Sequence, residues 1–93
     1  MRHVLVSSDD GELVEELRAL LPPGTVLLSA RGVDATLETL GRSARVDAVV
    51  TDDPRVEAAI REEIPGRLPV FRVPRGEPAR EILTRIEEAL VED

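Results

Sequence analysis

The chain has 93 residues, 42% of them hydrophobic and 33% charged, which is the balance of one globular domain rather than of a disordered segment. It has no Cys, which excludes disulfides, a thiolate nucleophile and sulfur metal sites, and its one aromatic residue, Phe71, leaves no stacking platform for bases or flavins. The formal charge of -7 argues against a nucleic-acid partner, and no apolar run is long enough to span a bilayer.

Every basic residue apart from His3 is Arg, and Lys, Asn and Gln are absent, a composition that a GC-rich coding bias explains and that also fits a thermophilic source. Met1-Arg2-His3 leads directly into an apolar run rather than a signal peptide, so a cytoplasmic location is expected.

Four short apolar runs alternate with four amphipathic ones. His3-Val4-Leu5-Val6 reads as the first strand and is followed by the turn-rich Ser7-Ser8-Asp9-Asp10-Gly11. Leu13, Val14, Leu17, Leu20 and Leu21 then fall at helical spacing, and Pro22-Pro23-Gly24 stops the helix. Val26-Leu27-Leu28 is the second strand; Val33, Leu37 and Leu40 stripe a helix that Gly41 is expected to end. Val46-Asp47-Ala48-Val49-Val50 is the third strand, and Val56, Ala59, Ile60 and Ile64 stripe the third helix up to Pro65-Gly66. Val70-Phe71-Arg72-Val73 is the fourth strand, and Ile82, Leu83, Ile86, Ala89 and Leu90 stripe a last helix running from about Pro78 almost to the end.

Strand–helix alternation with short connections predicts parallel strands and right-handed crossovers: a three-layer, flavodoxin-like (βα)4 domain spanning residues 1–93. The expected strand order is 2-1-3-4. Pro69 and Pro74 bracket the fourth strand, which suits an edge, where a missing N–H disturbs the ladder least.

Several segments resemble a known family. Gly24–Ala30 with Gly32–Leu40 is similar to the second strand and helix of response-regulator receiver domains, and Val46–Asp52 resembles their third strand, which ends in the phosphoacceptor aspartate. Leu68-Pro69-Val70-Phe71 and Pro78–Ile86 resemble the receiver's fourth strand and final helix. The resemblance implies a regulatory domain with Asp52 at the phosphoacceptor position. The departures are large: one strand–helix unit is missing, Ser7-Ser8 stand where the family's Mg²⁺-holding acidic pair would be, Pro74 replaces a hydroxyl residue, and the family's lysine has no counterpart. Arg72 or Arg75 would stand near that position, but arginine does not substitute simply for lysine.

Asp9, Asp10, Asp52 and Asp53 follow the first and third strands, whose carboxyl ends form the crevice where such sheets bind ligands. Two readings stand side by side. As a ligand site, Asp9, Asp10 and Asp52 would hold Mg²⁺, and Asp52 would attack a small phosphodonor. As local structure, Asp9 with Glu12 forms a capping box and Asp53-Pro54 opens the third helix, so no cofactor is needed.

His3 has no second His to share a metal, and Ser7 and Ser8 lack the surroundings of a nucleophile elbow. Arg67, Arg72, Arg75 and Arg80 form a basic strip: a solvated surface, a docking strip for an acidic partner, or an internal counterpart of the aspartates.

The expected role is a non-catalytic, receiver-like regulatory or protein-interaction domain. Phe71, Arg72 and Arg75 are candidate interface residues, with a homodimer through the fourth-strand edge or the last helix as one form of the interaction. The alternatives are a Mg²⁺-dependent phosphoacceptor and a small structural subunit of a larger assembly, as in the F subunit of rotary ATPases. A topoisomerase–primase-type Mg²⁺ domain ranks last, because the chain lacks the required Glu after the first strand and a later D-x-D.

Overall fold

The structure, a computed structural model, describes residues 2–42, 45–64, 66 and 68–90. Strand β1 (Arg2–Ser7), helix α1 (Gly11–Leu20), β2 (Thr25–Ala30), α2 (Gly32–Arg42), β3 (Ala48–Thr51), α3 (Pro54–Glu63), β4 (Val70–Arg72) and α4 (Ala79–Leu90) follow in strict alternation. The four strands form one parallel sheet in the order β2-β1-β3-β4. The parallel sheet and its order are those expected from the alternation, and β4 is the edge strand that its prolines indicated.

Side chains alternate across β1 and build a core on each face. Val4 and Val6 pack with Val50 against Val14 and Leu17 of α1 and Ile82 and Ile86 of α4. Leu5 packs with Val49 against Val56 and Ile60 of α3, with Val33 and Leu37 of α2 closing that side. The result is three layers, α1 and α4 on one face and α2 and α3 on the other. Val4, Leu5, Val6, Ala48 and Val49 are completely buried, as strands covered on both faces require.

Element bounds differ from the sequence reading in particular places. β3 begins at Ala48 rather than Val46, because the Asp47 carboxylate turns back to accept the His3 N–H at 2.7 Å while the Asp47 N–H donates to the His3 carbonyl. Gly41 lies inside α2, which runs on to Arg42. The Pro65 stop falls outside the described residues, and α3 ends with Ile64 as its cap.

The His3 N–H, helped by Arg45, holds the Asp47 carboxyl below its ordinary pKa. A depressed native pKa contributes stability above the unfolded value and loses it as pH falls through the folded value. Asp47→Asn therefore costs about 1 kcal/mol at neutral pH, and the melting-temperature gap between wild type and variant closes as pH drops below about 4. Thermal scans across acid pH check this.

Candidate functional site

The carboxyl ends of β1 and β3 lie side by side, Ser7 opposite Thr51, and the loops beyond them enclose a notch of about 410 Å³. Its walls include Ser8, Asp9, Gly32, Asp52, Arg55 and Arg75. Three of the four aspartates singled out in the sequence, Asp9, Asp52 and Asp53, line it; Asp10 does not.

Each of those aspartates has an occupation. Asp10, not Asp9, is the N-cap of α1, accepting from the Glu12 N–H at 3.1 Å and the Leu13 N–H at 3.3 Å, so the Asp9–Glu12 capping box does not form. The Ser8 hydroxyl decides this by accepting the Asp10 N–H at 3.0 Å, which places the turn so that Asp10 faces the helix. Asp53 is the N-cap of α3 with Pro54 in the first turn, as expected, and also accepts from the Arg55 guanidinium at 3.1 and 3.3 Å. The Arg55 side chain first, and the Arg55 N–H second, hold its carboxyl below the usual range.

Asp52 lies deepest, its side chain 5% exposed. It accepts the Ser8 hydroxyl proton at 3.0 Å, and the Arg75 guanidinium stands 3.8 Å away. The same guanidinium donates to Asp9 at 2.6 Å, so Arg75 bridges the loops after β1 and β3. A cation supplied by the chain itself thus sits between the two carboxylates and lowers the cost of like charges at short range.

The two serines are equally committed. Thr36 spends its proton on the Gly32 carbonyl at 2.6 Å, so the buried Ser7 hydroxyl donates to Thr36 Oγ1 at 2.7 Å and ties the start of α2 to the end of β1. His3 is the second residue of the strand that Ser7 ends, roughly 13 Å from it at strand spacing, so the two form no Ser–His pair. Among the described residues no group of three or more His, Asp or Glu converges tightly enough to hold a metal ion.

Of the candidate interface residues, Phe71 is half-buried against the α1–α4 core, Arg72 stands 3.8 Å from Glu57, and Arg75 faces the notch. Arg80 is exposed at the start of α4, and Arg67 lies outside the described residues. The sequence reading missed Thr36, Arg55 and Gly32. Arg55 follows its partner Asp53 by two residues and was within local reach; Thr36 meets Ser7 across 29 residues, with no local signal.

Among the described residues no helix is long and apolar enough to cross a membrane. No family model, curated protein or solved structure matches the chain.

Proposed function

We propose that the chain is a non-catalytic, receiver-like regulatory or protein-interaction domain. The observation that carries this reading is Arg75: its guanidinium lies against both Asp9 and Asp52, where a phosphoacceptor chemistry would need a divalent cation. Ser7 and Ser8, standing where the family's acidic pair would be, spend their hydroxyl protons on Thr36 and Asp52. The notch is a neutralised structural joint, and the domain works through its surface. A protein partner docks on the side chains of Phe71 and Arg72 beside β4, without adding a strand to that edge, or on the outer face of α4.

The second reading, Asp52 as a phosphoacceptor, draws on its place at the end of β3 in the crevice. One experiment separates the two. The wild type is incubated with acetyl phosphate and millimolar Mg²⁺, then weighed by intact mass spectrometry and melted with and without the cation. No phosphoryl adduct and no rise in melting temperature are expected, since a cation bound only by the folded state would stabilise it. An adduct that Asp52→Ala abolishes overturns the non-catalytic reading.

A further inference from the structure

The sheet has two open edges, and they are guarded very differently. β4 is three residues long, is bracketed by Pro69 and Pro74, and carries Arg72. Short length, proline and charge are the devices by which edge strands avoid pairing with other chains. β2, the opposite edge, carries such residues only beyond its ends, Pro23 before it and Arg31 after it: Thr25-Val26-Leu27-Leu28-Ser29-Ala30 is six residues without a charge or a proline.

The direction of its free backbone groups follows from its ladder with β1. The Gly24 and Ala30 carbonyls accept from the Arg2 and Ser8 N–H groups, so the even-numbered residues face β1 and Thr25, Leu27 and Ser29 face outward. The Thr25 N–H is taken by the Pro22 carbonyl. The N–H groups of Leu27 and Ser29 and the carbonyls of Thr25, Leu27 and Ser29 have no partner among the described residues. The side chains are unfinished as well: Val26, Leu27 and Leu28 are only half-buried, whereas Val4, Leu5 and Val6 of the neighbouring strand are fully buried.

We infer that the outer edge of β2 pairs antiparallel with the β2 edge of a second copy, joining two four-stranded sheets into one. A twofold axis through Leu27 makes the edge complementary to itself. Leu27 exchanges both backbone bonds with the partner's Leu27, and each Ser29 N–H meets a Thr25 carbonyl across the axis. On the face of α1 and α4, Leu27 lies against its counterpart with Thr25 opposite Ser29; on the other face Val26 lies opposite Leu28. The occupant is a second copy because this uncharged strand meets its own image without opposing like charges, even though each chain carries -7 overall. This inference stands apart from the proposed function, and it places self-association at β2 rather than at β4.

The charge pattern supplies the test. Thr25→Arg combined with Ser29→Arg sets arginine against arginine at both flanking pairs. Thr25→Arg combined with Ser29→Glu sets arginine against glutamate, while the two positions in one chain stay roughly 13 Å apart. Sedimentation equilibrium over micromolar to millimolar protein, with far-ultraviolet circular dichroism as the fold control, reads the outcome. The wild type is expected to sediment at twice the chain mass, the double-arginine variant at half that value, and the arginine–glutamate variant at the dimer mass again. Arg72→Pro, which removes an outward N–H from the β4 edge together with the exposed guanidinium near Glu57, leaves the dimer intact. A wild type that is monomeric throughout overturns the inference. So does a dimer indifferent to the double-arginine change, or one lost on Arg72→Pro.

Discussion

Arg85→Met lowers the unfolding free energy by about 2 to 3 kcal/mol, whereas Glu77→Met, at the other end of the same ion pair, changes it little. The asymmetry comes from burial. The Glu77 side chain is 6% exposed and that of Arg85 46% exposed, with Arg85 Nη2 3.0 Å from Glu77 Oε2. Glu77 Oε1 is buried with no partner among the described residues. Removing Arg85 strands a carboxylate that the fold almost wholly covers, which is the costly way to break a buried pair; removing Glu77 lets Arg85 turn to solvent. The half-exposed arginine keeps the loss below the full cost of a wholly buried pair. Replacing both by methionine returns most of the stability, because no charge is left behind. Urea unfolding of the two single variants and the double variant gives the coupling directly; equal losses from the single variants would contradict the argument.

The same pair helps to set the candidate site. Glu77 lies two residues beyond Arg75 in the turn that joins β4 to α4, where the Glu77 N–H donates to the Pro74 carbonyl and Gly76 adopts a φ of +88°. Arg85 anchors that turn to α4 while Arg75 anchors it to the ends of β1 and β3. The cation in the notch is therefore positioned from behind by a helix none of whose described side chains lines the notch.

What the sequence disclosed follows from the range of the forces involved. Strand–helix alternation and the prolines around β4 are local signals, and they were enough for the parallel sheet and its order. The Asp53-Pro54 start of α3 is local too, and it forms as read. The choice between Asp9 and Asp10 as the cap of α1 is not. Both are chemically able to cap, and the decision rests on the Ser8 hydroxyl and on a guanidinium 66 residues away. Ser7 and Thr36, or Ser8 and Asp52, are likewise joined only once β1 lies between β2 and β3. Phe71 stands out in the sequence as the one aromatic, and the fold lays it half-buried against the α1–α4 core, a contact with no local signal.

The largest single loss is expected in α1, where the helical stripe of leucines does not behave as one face. Leu17 is fully buried among Val4, Val6, Ile82 and Ile86, so it joins the helix both to the sheet and to α4. Leu20, one turn later at the same apparent spacing, is 43% exposed beside a shallow groove at the start of α4. α1 ends there: Leu21 is already extended, and the chain turns through Pro22 and Pro23 to reach β2, so the last turn of the stripe has no sheet beneath it. Leu17→Ala removes buried methyl groups and leaves a cavity that rigid neighbours cannot fill, at a cost of about 3 to 4 kcal/mol; Leu20→Ala costs under about 1 kcal/mol. A domain of this size is stabilised by roughly 5 to 14 kcal/mol in total, so the first change consumes a large share of it. The melting temperature of Leu17→Ala falls by on the order of 15 °C or more, and that of Leu20→Ala by a few degrees, in calorimetry under one condition. Equal shifts would mean that α1 packs through its whole stripe, and would contradict the exposure of Leu20.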